Sequence, residues 1–197
     1  MIPVWDALVR SLHWLLAASV LTAWASGHWL GHWFDAVHHT AGHLAAAVVV
    51  VRLVWGVAGT PYARFSQFVR SPGDTWAYVR QLRTGGEPRH IGHNPLGGWM
   101  VVALLASVAG ASLSGLLGTT DWLWGEAWVT GLHAALGWLI AGLVAGHIGG
   151  VAFTSLRHRE NLVAAMVHGR KHAALGHGAD LGIDPASSQA PSQSARR

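Results

Sequence analysis

The sequence predicts an all-α integral membrane protein, a four-helix bundle with both termini cytoplasmic and short interfacial helices in the loop between helices 2 and 3. Three observations predict it: four long stretches nearly free of charge, basic residues confined to alternate connections, and histidines within those stretches. Composition agrees, since 51% hydrophobic with only 11% charged residues is a membrane profile, and twenty-five glycines suit close helix packing in lipid.

A helix rises about 1.5 Å per residue and a bilayer core is about 30 Å thick, so about twenty apolar residues cross it. The first span, Ser11 to Phe34, contains no charged residue. Its Ala23-Trp24-Ala25 resembles a signal cleavage site, but one Arg balanced by one Asp before the run, and His13 inside it, favour a retained helix. The second span, Ala36 to Gly59, holds only Arg52. The connection from Val57 to Asn94 contains YARFSQFVRSP and TWAYVRQLR, whose mixed aromatic and basic residues suit short interfacial helices and a surface able to receive a partner. In RHIGHNPLGG, Asn-Pro before Gly-Gly marks the start of the third span, Pro95 to Thr120. The fourth span lies within Gly131 to Gly150. Residues 1–171 thus form one transmembrane domain, and the small, polar residues 172–197 form a disordered cytoplasmic tail.

Arg10 precedes the first span; Arg52, Arg64, Arg70, Arg80, Arg83 and Arg89 follow the second; Arg157, Arg159, Arg170, Lys171, Arg196 and Arg197 follow the fourth. Neither of the other two connections carries Lys or Arg. The positive-inside rule therefore places both termini of this multi-pass membrane protein in the cytoplasm. The formal charge of +4 is accounted for by topology, and no nucleic-acid partner is expected. The absence of cysteine excludes disulfides, iron–sulfur clusters, thiolate metal sites and covalent haem attachment. Of the twelve tryptophans, Trp5, Trp29, Trp33, Trp122, Trp124 and Trp128 fall near span ends, where indole rings anchor at the headgroup level.

His133 and His147 are fourteen residues apart, about 21 Å along a helix and within about 40° of the same face. They mark two depths. His38, at the start of the second span, belongs to the outer level with His133; His13, at the inner end of the first, belongs with His147. Two neutral imidazoles facing each other across a bundle suit the axial positions of a haem iron, and uncompensated polar residues in a span are costly. One count is uneven: His13 is three residues from Arg10 but His147 is ten from Arg157, which a fourth helix extending past the membrane would reconcile. His28 and His32 have the i, i+4 spacing of a zinc pair, although a surface pair of this kind is more often solvated.

From Val4 to Lys171 the chain resembles the bacterial cytochrome b561 family, which includes the b-type cytochrome subunit of nickel–iron hydrogenases. The resemblance rests on VWDALVRSLHWLL around His13, on HHTAGHLAAAVVVVRLVWG, on YARFSQFVRSP and GHNPLGGWM, on the His133 and His147 pair, and on RHRENLVAAMVHGRK. It implies a place in the bacterial inner membrane and two non-covalent b haems held by His13 with His147 and by His38 with His133; His90 and His93 then read as structural or quinone-proximal, without a choice between them. His38 has Gly42 four residues on and Arg52 fourteen on, as the family pattern has; His43 is the alternative ligand. Arg52 and Arg10 are candidates for the inner haem's propionates, with a snorkelling anchor as the competing role of Arg52. No basic side chain is available at the outer level, so Trp, Ser, Thr, backbone or water must serve there.

The expected function is transmembrane electron transfer between the quinone pool and a periplasmic redox partner such as a c-type cytochrome, with a homodimer left open. Two alternatives come from relatives: superoxide:quinone oxidoreduction at the periplasmic face, and a membrane anchor and electron-transfer subunit of a hydrogenase or dehydrogenase complex. Asp35, Asp121 and Glu126, without Lys or Arg, occupy the outer connections and argue against steering superoxide. A His-rich metal-ion transporter is a third class, disfavoured because the spans contain no Asp or Glu beside the histidines.

Overall fold

A computed structural model describes residues 2–29, 32–86 and 92–171. The expected tail from 172 onward and His90 lie outside the described residues. Four long helices run through the described chain: α1 (Ala7–His28), α2 (Asp35–Ala58), α5 (Pro95–Gly118) and α6 (Ala127–His158). All four are long and apolar enough to cross a membrane. The long connection folds into α3 (Phe65–Phe68) and α4 (Pro72–Thr84), and α7 (Leu162–His168) follows α6. Short 3-10 turns occupy His32–Phe34 and Pro61–Ala63.

Each boundary has a local cause. The Asp6 carboxylate accepts from Val9 N at 2.7 Å and caps α1, so this helix begins four residues before the charge-free run. It ends at His28 rather than Phe34, just after Ser26 and Gly27, two weak helix formers. Asn94 caps α5 through Gly97 N at 2.7 Å, and Pro95 occupies its first turn, as the Asn-Pro signal predicts. Ser71 does the same for α4, with Pro72 behind it.

The long helices form two antiparallel pairs, α1 against α2 and α5 against α6, joined chiefly where α2 meets α5. Ala45, Val49, Leu105, Val108 and Ile140 form the buried core of that seam. Outward-facing residues are apolar too: Val50, Val54 and Val57 on α2 are 59%, 61% and 76% exposed. An apolar exterior over small buried residues is the arrangement a lipid solvent favours.

One end of the bundle is tied together. β1 (Ile2–Pro3) pairs antiparallel with β2 (Arg170–Lys171), and Val4 N and Trp5 N both donate to Gly169 O. Gly169 ends α7 at φ 80°, and a Cβ there would lie 2.6 Å from Trp5 O, so both backbone and space require glycine. The chain start and the segment after α6 therefore share an end with the Arg52 end of α2 and the start of α5.

Asp6 has a second role. Its other oxygen accepts from Trp55 Nε1 and the Thr60 hydroxyl, joining the start of α1 to the end of α2. Burial alone would raise its pKa, but the hydrogen bonds from Thr60, Val9, Trp55 and Leu8 outweigh it and hold the carboxyl below 3.8. A depressed folded pKa means the stabilisation is complete at neutral pH and is lost as pH falls from 3.8 through the folded value. Asp6→Ala is expected to cost about 1–3 kcal/mol, read as a lower Tm in detergent at pH 7. The gap between variant and parent closes on acidification; an equal gap at pH 3 and pH 7 contradicts this account.

Candidate functional site

The predicted histidines come together as two facing pairs. His13 on α1 and His147 on α6 have ring centroids 6.3 Å apart, and His38 on α2 and His133 on α6 have centroids 5.8 Å apart. The uneven spacing of His13 and His147 from their basic flanks is absorbed by α6, which runs 32 residues against 22 for α1. His43 is exposed and pairs with His39 at 6.5 Å, away from His133. His39 itself meets the His38 ring edge-on at 6.0 Å.

The His38 and His133 pair is oriented by backbone. His38 Nδ1 lies 2.8 Å from Ala23 O, and His133 Nδ1 lies 2.9 Å from Ala111 O and 3.2 Å from Ser114 Oγ. A carbonyl only accepts, so each Nδ1 carries the proton and each Nε2 keeps a free lone pair. This is the tautomer a metal-ligating imidazole needs, with the outer hydrogen bond that fixes such ligands. These carbonyl partners are not legible in the sequence, because a carbonyl's availability depends on which helices meet.

Glycines make the room. A Cβ on Gly27 would lie 3.0 Å from the His38 ring, and one on Gly115 would lie 3.0 Å from the His133 ring. Gly42, one turn beyond His38, and Gly131 face open space. The His13 and His147 pair has a different character: His13 Nδ1 is buried without a hydrogen-bond partner among the described residues.

Sequence reasoning also missed an aromatic cluster between α1 and α6. Trp24 stacks on His28 at 4.5 Å, and Trp138 meets both edge-on at 5.5 and 5.0 Å. His28 donates from Nδ1 to Trp24 O at 3.0 Å, while Trp24 Nε1 is buried without a partner. His28 is thus engaged with its own helix and with Trp138. Among the described residues no group of three or more potential ligands could hold a metal ion by itself.

The charged candidates gather at the tied end. Arg10, one turn from His13, donates to Val167 O, and its Nε is buried without a partner among the described residues. Arg52, 8% exposed, donates from Nη2 to Ala63 O at 3.1 Å and lies over the Phe65 ring at 5.0 Å, with Nη1 unpartnered among the described residues. That setting is a buried socket and not a snorkelling position at the bundle surface. The half-buried Trp5 ring packs on His93 at 4.7 Å. Trp29, Trp33, Trp122, Trp124 and Trp128 are exposed at or near the opposite end, where span-end anchors belong.

The residues fit b-type haem. His13 with His147 and His38 with His133 would hold the haem irons, their ring centroids 6.3 and 5.8 Å apart leaving room for one metal within each pair. Orphaned donors and open glycine faces beside the pairs provide for a large polar-edged group.

Comparison with known proteins agrees. The family described as prokaryotic cytochrome b561 matches residues 4–169. The chain is also 22% identical over 214 residues to a probable Ni/Fe-hydrogenase B-type cytochrome subunit of Rhizobium leguminosarum bv. viciae, covering 85% of this chain and 87% of the relative. No solved structure matches. Four apolar helices, facing intramembrane imidazoles and a family match across nearly all the described residues lead to one conclusion: the chain belongs to the prokaryotic cytochrome b561 family and is a multi-pass, haem b membrane protein of electron transfer.

Proposed function

We propose that the protein carries electrons across the bacterial inner membrane through two b haems, between the quinone pool and a periplasmic redox partner such as a c-type cytochrome. The observation that carries this reading is the pair of facing imidazole couples, His13 with His147 and His38 with His133, at 6.3 and 5.8 Å. Bound haem supplies a one-electron iron couple at each depth.

The chain's own residues do the rest. His133 and His147 sit about 21 Å apart along α6, enough to serve opposite halves of a bilayer core. The Ala23 and Ala111 carbonyls hold His38 and His133 as ligating tautomers, and buried apolar residues fill the α2–α5 seam. The end that carries Arg10, Arg52, Arg157, Arg159, Arg170 and Lys171 faces the cytoplasm, with the chain start there and α3 and α4 along the membrane surface.

A second reading has one specific support. The hydrogenase-subunit relative matches over most of its own length, which favours a membrane electron-transfer subunit docked to a dehydrogenase or hydrogenase complex. Co-purification of the tagged chain from its native membrane separates this from a soluble periplasmic partner. The anionic outer connections give no support to a superoxide-steering surface.

The primary test is a reduced-minus-oxidised spectrum of purified protein with haem quantified per chain, and two b haems are expected. His133→Ala and His147→Ala are each expected to lose one haem, and a different one. Retention of two haems in both variants would falsify the ligand assignment. His43→Ala is expected to keep both, and a loss there would move the ligand from His38. Gly27→Val and Gly115→Val, which press on the His38 and His133 rings, are expected to lose only the haem that His133→Ala loses. Full occupancy in both would mean that those rings have freedom to shift.

A further inference from the structure

Beyond the four paired histidines, His93 at the tied end is a partly buried imidazole. It sits just before α5, its ring wedged between Trp5 at 4.7 Å and Phe68 at 4.6 Å. His93 Nδ1 is buried and has no hydrogen-bond partner among the described residues. Such an atom forfeits its water without compensation, and native proteins leave few of them unless a ligand supplies the partner.

Arg52 repeats the pattern beside it. Its guanidinium is buried, held on one side by Ala63 O and below by Phe65, with Nη1 left without a partner. Phe65 and Phe68 both belong to α3 and touch each other at 5.7 Å, so this single turn of helix positions both Arg52 and His93. Arg10 adds a third unpartnered donor, Nε, one turn from His13. Lys171, 7% exposed, lies 5.9 Å over the other ring that packs on His93, Trp5.

Trp5, Phe65 and Phe68 bring these groups to one end of the bundle, where donors without a partner among the described residues suit an anion. Burial and then the charges of Lys171 and Arg52, followed by His147 and His13, push the His93 pKa down to about 3. The ring is therefore neutral at physiological pH and serves as an N–H donor, while the arginines supply charge. Through Trp5, His93 also lies at the end of the bundle where α1 begins, the end nearer His13.

We infer that His93, together with Arg52 and Arg10, forms a carboxylate-binding pocket that receives the propionates of the haem held by His13 and His147. This rests on the proposed two-haem reading and adds a residue to it. His93 donates one neutral hydrogen bond to a carboxylate oxygen, and Arg52 Nη1 and Arg10 Nε donate charge-assisted ones. Covering this pocket with α3 explains why a four-residue helix is built of two phenylalanines facing polar groups.

Potentiometric titration of each haem in the purified full-length protein, with haem counted per chain, tests the inference. A donor on a propionate offsets negative charge that favours ferric iron, so its removal lowers the midpoint potential. His93→Phe is expected to lower the potential of the haem that His147→Ala removes and to leave the other unchanged. His93→Gln, which keeps a donor, returns that potential toward the parent value. Arg52→Gln is expected to reduce occupancy from two haems toward one, with the same haem affected. Should His93→Phe fail to fold, the Gln and Arg52 variants decide the matter on the same readouts. Unchanged potentials and full occupancy, or a shift confined to the haem that His133→Ala removes, overturn the pocket while leaving the paired-histidine reading intact. A wild-type protein without haem overturns that reading itself.

Discussion

The structure depends on one constraint: inside a bilayer a polar group has no water to turn to, so each must find its partner within the protein. For the backbone, four long helices meet the demand locally. For the imidazoles the demand is tertiary. His38 reaches across to the Ala23 carbonyl of α1, and His133 to the Ala111 carbonyl of α5. Each of these hydrogen bonds also locks two helices at a given register, so the chemistry of the rings and the packing of the bundle are one arrangement.

That arrangement explains the distribution of small residues. Gly27 and Gly115 stand where a Cβ would enter the rings of His38 and His133, while the seam between α2 and α5 is built from Ala45, Val49, Leu105 and Val108. Lipid gives no hydrophobic drive for helices to associate, so close contact and polar bonds must do it. The two ends of the bundle then diverge in character. One end is fastened by Asp6, the β1–β2 pairing and Gly169, and it concentrates buried cations; the other exposes Trp29, Trp33, Trp122 and Trp124 beside acidic residues.

Electron transfer fits a protein made this way, since it asks for rigid placement of redox groups rather than movement of substrate. Backbone carbonyls are rigid partners. The tautomers of His38 and His133 are set by groups that cannot rotate away, and Arg52 is held by a carbonyl and a phenylalanine ring. Potentials of bound haem respond to such hydrogen bonds and to burial, so the protein tunes its electron affinity through features of packing.

The amino-acid sequence by itself determined the solvent, the number of spans and the two-level ordering of histidines, because length, charge-free runs and helical periodicity act locally along the chain. The His13–His147 and His38–His133 couples followed from that ordering. What only the tertiary structure decided is which atoms complete each site. The Ala23 and Ala111 carbonyls, the Gly27 and Gly115 clearances, the Trp24–His28–Trp138 cluster and the burial of Arg52 against Phe65 all join residues from different elements. No period or motif encodes such contacts, since every carbonyl looks alike in sequence. His93 shows the limit most clearly: its place in a loop left its role open between structural and quinone-proximal, and folding set it between Trp5 and Phe68, with one nitrogen unanswered among the described residues.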